Sequence, residues 1–108
     1  MQFTELPVSI SKKMRDVRVM EGDTATFTCY VTRTNAEIQW LKNGHPIPKS
    51  QTRFSETVEN KALNLIIKDA KLDDDAEYTV ICGDAKCSAH LYVEGTNIET
   101  IQIFGTKN

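Results

Sequence analysis

The chain has 108 residues, 40% of them hydrophobic and 26% charged, with a formal net charge of −2. That length makes one domain with enough apolar side chains for one core. The near-neutral balance gives no electrostatic reason to expect nucleic acid or an anionic membrane as a partner, and no apolar run approaches the roughly 18 residues of a spanning helix.

In chain order, the N-terminus MQFTELPVSI lacks a basic start followed by an apolar stretch, so no signal peptide is expected. VSIS (8–11) and VRVM (17–20) read as two short strands broken by KKMRD (12–16). TATFTCYV (24–31) alternates Ala25, Phe27, Cys29 and Val31 with threonines and Tyr30, the pattern of a half-buried strand. EIQWLK (37–42) turns Ile38 and Trp40 inward, and Asn43-Gly44 behind it is a hairpin turn signal. TRFSETV (52–58) is a weaker strand, expected at a sheet edge. ALNLIIK (62–68) points Leu63, Leu65 and Ile67 one way, and DAKLDDDAE (69–77) leaves room for one helical turn. EYTVIC (77–82) turns Tyr78, Val80 and Cys82 inward. GDA (83–85) reads as a tight turn, and KCSAHLYVE (86–94) returns with Cys87, Ala89, Leu91 and Val93 inside. Seven or eight short strands with turns between them, and no clean helical stripe, predict an all-β sandwich; periodicity alone leaves a barrel open. The tail GTNIETIQIFGTKN (95–108) reads as a linker to a following module, or, from its Ile98, Ile101, Ile103 and Phe104, as an extra strand or docking segment.

The chemistry-bearing residues are sparse. Three cysteines are an odd number, unlike the even sets of small secreted domains, and no Asn-x-Ser/Thr acceptor occurs. Cys82 and Cys87 flank the last hairpin and are expected to be two buried or half-buried thiols, the alternative being that they lie opposite each other as an oxidation-dependent pair. Cys82, Cys87 and His90 do not make a zinc site, because a strand turns His90 away from Cys87 and a fourth ligand is missing. The acidic run Asp73-Asp74-Asp75-Glu77 lacks the glycine and spaced ligands of a calcium loop and reads as a solvated turn. His45 and His90 have no nucleophile beside them, so neither an enzyme nor a cofactor is expected.

Cys29, Trp40 placed 11 residues later, Leu65-x-Ile67, Ala70, Leu72, and Asp74-x-Ala76-x-Tyr78 together resemble the immunoglobulin fold of the intermediate, or I-set, type over about residues 5–94. The resemblance implies a Greek-key β-sandwich, with residues 1–4 as a flank and 95–108 as a tail. It places Trp40 between the sheets against Cys29 and the facing position, Val80, where the usual second cysteine is missing. Tyr78 is then the residue that hydrogen-bonds back to backbone near Leu72–Asp74, and Asp74 pairs with Arg53 in a partly exposed ion pair worth about 1 kcal/mol.

The wording LPVSISKKMRDVRVMEGDTATFTCYV, IQWLKNGHPI and LNLIIKDAKLDDDAEYTV is similar to the modules of the giant muscle proteins, the family of titin, twitchin, obscurin and myosin-binding protein C. That family implies a non-catalytic module of a sarcomeric or cytoskeletal filament, cytoplasmic, serving as spacer, load-bearing link and docking surface. Myosin, actin, titin or neighbouring modules are the implied partners. The expected docking edges are the first strands (Val8, Ile10, Val17, Val19) and the last (Ser88, His90, Tyr92). The competing readings are an extracellular adhesion or receptor domain, against which Val80 and the odd cysteine count speak, and a regulatory domain flanking a kinase.

Overall fold

The computed structural model of the chain describes residues 8–34 and 36–95. Nine strands follow one another among the described residues: β1 (Ile10–Lys12), β2 (Val17–Met20), β3 (Ala25–Val31), β4 (Ile38–Lys42), β5 (His45–Pro46), β6 (Phe54–Glu59), β7 (Ala62–Ile67), β8 (Ala76–Cys82) and β9 (Ala85–Glu94). One sheet has the order β1-β3-β7-β6 and the other β2-β9-β8-β4-β5. Every neighbouring pair is antiparallel except β2 and β9, which run parallel.

Turn chemistry sets the registers. Asn43 and Gly44 both adopt positive φ (51° and 83°), the geometry of a two-residue hairpin turn, and this pairs Lys42 with His45. The result is the two-residue strand β5, which the period-two pattern does not show. Asn60, with φ of 58°, turns β6 into β7 and pairs Glu59 with Ala62. The helical turn expected in 69–77 is a 3₁₀ turn at Leu72–Asp74.

The first strand is split between the sheets. β1 pairs with β3 around an irregularity between Ile10 and Lys12, and then the chain crosses over. Buried Met14 anchors the crossing, its N–H 3.3 Å from the Cys87 sulfur, and Asp16 Oδ1 accepts the His90 N–H at 2.9 Å. The chain then lies along β9 as β2.

The core forms where the alternating inner faces meet. Phe27, Cys29, Trp40, Leu63, Leu65, Ile67, Tyr78, Val80 and Leu91 are all buried. Each large apolar side chain removed from water contributes about 1.5–3 kcal/mol, so this core holds the two sheets together with its three cysteines free. Tyr78 packs its ring against Phe27 and Phe54, with centroids at 5.4 and 6.3 Å.

Candidate functional site

Asp74 is the hub of the corner between β7 and β8. Its Oδ2 accepts from Arg53 Nη1 at 2.8 Å and from the Lys71 N–H at 2.7 Å, and its Oδ1 accepts from Arg53 Nη2 at 3.1 Å. Its carbonyl accepts the Tyr78 hydroxyl at 2.7 Å. Arg53 Nη1 also reaches the carbonyls of Lys68 and Asp69, at 3.2 and 3.1 Å. One guanidinium thus ties the approach to β6, the end of β7 and the 3₁₀ turn together. The pair is partly exposed, as expected, but on one side only: the Asp74 side chain is 2% exposed and that of Arg53 24%. Burial by itself raises the Asp74 pKa. The Arg53 fork, the Lys71 N–H and the nearby positive charges outweigh it and hold the carboxyl below its usual range.

Asp75 carries the same corner to the other sheet. Its Oδ1 lies 3.0 Å from His90 Nε2, and its Oδ2 accepts the Val93 N–H at 3.0 Å. The His90 hydrogen bond, followed by that from Val93, lowers the Asp75 pKa. The acidic run is therefore not a solvated turn throughout, because Asp74 and Asp75 each bind one sheet. Only Asp75 lacked a sequence signal, since its partners on β9 are 15 and 18 residues away.

Around Trp40 the structure brings Cys29, Val80, Cys82 and Cys87 onto inner faces, with Val80 directly opposite Trp40 on adjacent strands. The Trp40 indole N–H is buried without a hydrogen-bond partner among the described residues. Cys82 and Cys87 are two buried free thiols, and they do not take the alternative face-to-face arrangement. The turn holds two residues rather than the four that facing cysteines would need, so Cys82 pairs with Ala85 and Cys87 with Val80, leaving the two cysteines on a diagonal. Cys87 instead meets Cys29 across the sandwich. Burial first, then the neighbouring Cys87, pushes the Cys29 thiol up to about 12.

The edge assignments change at one residue. β2 covers β9 only over Leu91–Glu94, so Tyr92 lies inside the sheet, while Ser88 and His90 stand, as expected, on a stretch of β9 with no strand on its β2 side among the described residues. Ser88 is bonded to Thr79 at 2.7 Å, His90 stacks on Tyr92 at 4.4 Å, and Arg18 lies 4.8 Å from the Tyr92 ring. The reason is the parallel pairing of β2 with the last four residues of β9, which period-two patterning cannot reveal. β1 and β2 do lie at sheet edges, with Ile10, Val17 and Val19 half-buried and packed against the core. Val8 is buried ahead of β1. Among the described residues two other strands end a sheet: β5, blunted by Pro46, and β6.

The two ends of the described chain lie far apart. Val8 sits beside Gly83, 3.3 Å from the position a Cβ there would take, next to the start of β9. Gly95, just past the end of β9, reaches Leu72, and the Glu21 N–H donates to the Glu94 carbonyl at 2.7 Å. The ten residues of β9 separate these points by about 30 Å of extended backbone.

This arrangement of strands, corner and central tryptophan agrees with a family comparison: the model described as "Immunoglobulin I-set domain" matches residues 8–93. The chain belongs to the immunoglobulin I-set family. Human slow-type myosin-binding protein C is 34% identical to the domain over 91 residues, covering 83% of this chain and 8% of that protein. Rat cardiac-type myosin-binding protein C is 30% identical over 99 residues, covering 91% of this chain and again 8% of the relative. The domain thus spans about 8% of the length of these curated relatives. Among solved structures, domain I10 from titin superposes with a TM-score of 0.75 at 41% identity, covering 80% of this chain and 97% of that one.

Proposed function

We propose that residues 5–94 form a structural and protein-interaction module of a sarcomeric or cytoskeletal filament protein, with residues 1–4 as a flank and 95–108 as a tail or linker to a following module. Its place is the cytoplasm of muscle, in the sarcomere. It acts there as a spacer, a load-bearing link and a docking surface, with myosin, actin, titin or adjacent modules as partners. The observation that supports this reading is that Val8 and Gly95, the first and last described residues, lie at opposite ends of the sandwich. A tension applied through them runs along the strands. It shears the parallel β2–β9 ladder, in which Val17 to Met20 pair with Leu91 to Glu94 and all bonds are loaded together. The named relatives, which include myosin-binding proteins C, support the setting.

Force spectroscopy tests the mechanical part. The Glu21-to-Glu94 bond fixes the odd residues of β2 as those facing β9, so Val19→Pro deletes a ladder donor. The unfolding force is expected to fall for Val19→Pro and to stay at the wild-type value for Val58→Pro on β6, outside the loaded path. Equal forces for wild type and Val19→Pro would remove the load-bearing role. Co-sedimentation with myosin and actin filaments tests docking, and a domain left in the supernatant with both refutes it.

A further inference from the structure

β6 is a six-residue strand with nothing paired on its outer side among the described residues. The Lys68 N–H bonds to the Arg53 carbonyl, and this identifies the residues of β6 that bond to β7 as the odd ones, Ser55, Thr57 and Glu59. The N–H and C=O groups of Glu56 and Val58 therefore point away from the sheet. Pairing with Leu65 and Leu63 puts their side chains on the inner face, the face that Leu63, Leu65 and Ile67 bury in the core. They are nevertheless exposed, Val58 by 47%, because the opposite sheet ends at β5 and leaves this flank uncovered. Beside Glu56 lies a groove lined by Ile47, Pro48, Lys49, Gln51 and Phe54. Glu56 makes no ion pair among the described residues.

We propose that β6 accepts an extended segment of a partner protein as a fifth strand of its sheet, and that this segment carries a lysine or arginine on its inner face beside Glu56. The proposal rests on the docking part of the function above. Four aligned backbone groups supply the ladder bonds, and the uncovered flank takes the segment's alternate side chains, the division of labour of strand addition. Charge selects the occupant. An inward carboxylate on an open edge penalises apolar strands, which guards against unspecific pairing. A second copy of β6 fits poorly, because FSETVE holds two carboxylates and no cation. A basic residue turns the same carboxylate into an attraction that is worth more once the flank is covered.

The test uses the 108-residue chain and two nine-residue peptides of alternating threonine and valine, one with a central lysine and one with a central glutamate. Each is N-methylated along one edge so that it cannot pair with itself. Amide hydrogen exchange read by NMR is expected to slow about tenfold at Glu56 and Val58 with the lysine peptide near ten times its Kd. The glutamate peptide is expected to leave both amides unchanged. Glu56→Lys should reverse the preference. Val58→Pro removes an outward N–H that β7 does not use, and should abolish protection while the melting curve stays near that of wild type. Protection at Arg18 or Ser88 instead, equal binding of the two peptides, or dimerisation of the free domain through β6 overturns the proposal. Filament co-sedimentation separates the two readings. Binding that survives Val58→Pro keeps the docking function and overturns the β6 site. Peptide protection in a domain that no filament sediments keeps the β6 site and sinks the sarcomeric reading.

Discussion

Replacing Asp74 by asparagine tests the corner most directly. Three N–H donors converge on this carboxylate, two from Arg53 and one from the backbone of Lys71. Asparagine keeps the size but has one accepting oxygen, so its amide NH₂ must face one of those donors. A hydrogen bond to a charged group is worth about 1.5–3 kcal/mol, and breaking a buried ion pair costs about 3–5 kcal/mol. Arg53 keeps 24% of its side chain in water and can recover part of its hydration, which lowers the cost. The expected loss for Asp74→Asn is about 2–4 kcal/mol, or about 10–25 °C in Tm for a domain of this size. Urea unfolding followed by Trp40 fluorescence measures it. The double mutant Arg53→Met/Asp74→Leu should lose clearly less than the sum of its single mutants, since removing both charges leaves none buried alone. The pH dependence has a fixed sign. The folded pKa of Asp74 is lowered, so its stabilisation is fully present above the unfolded value of about 3.9 and is lost as pH falls through the folded value. Wild type should therefore lose stability below about pH 4 more steeply than Asp74→Asn. A variant within about 0.5 kcal/mol of wild type, or additive single mutants, would refute the reasoning.

Three further outcomes follow from the same geometry. Tyr78→Phe should cost about 1–2 kcal/mol by denaturant unfolding, because the buried Asp74 carbonyl loses its 2.7 Å donor while the ring keeps its packing. Gly83→Ala should destabilise by about 1–3 kcal/mol. Gly83 has φ of 60°, and an added Cβ would stand 2.9 Å from the Ala36 Cβ, next to Val8 where the chain enters. The three thiols are buried, and burial raises the Cys29 and Cys82 pKa values, so alkylation at pH 7 to 8 should be slow in the native domain. It should reach three per chain once urea unfolds the protein; rapid native labelling counted by mass spectrometry would show that the core is open.

Much of this was legible from side-chain chemistry acting over short distances. The inward faces of β3, β7, β8 and β9 are the alternating residues named from the sequence, because a strand has no other way to segregate apolar groups. Asn43-Gly44 predicted its own turn, since few residue pairs accept two positive φ angles. The Arg53–Asp74 and Tyr78–Asp74 contacts were visible through the family motif, although not the depth to which Asp74 is buried. Cys82 and Cys87 miss each other because the turn between them is two residues shorter than facing cysteines would need. The edge expectation failed at Tyr92 alone, because β2 covers only the last four residues of β9, and a carboxylate on the inner face of β6 was a readable sign of an open flank.

The sequence by itself thus determined the fold class, the inward and outward sides of most strands, and the residues that close the corner. All of these depend on the local period of the backbone and on which side chains tolerate a given turn. Tertiary structure alone decided how much of β9 is covered by β2, which cysteines meet, and that Asp75 fastens β9 while Asp74 fastens β6 and β7. Those outcomes depend on pairings between segments tens of residues apart, chosen by which sheet each strand joins and in which register. No local pattern encodes such a choice until the two layers close on a common core.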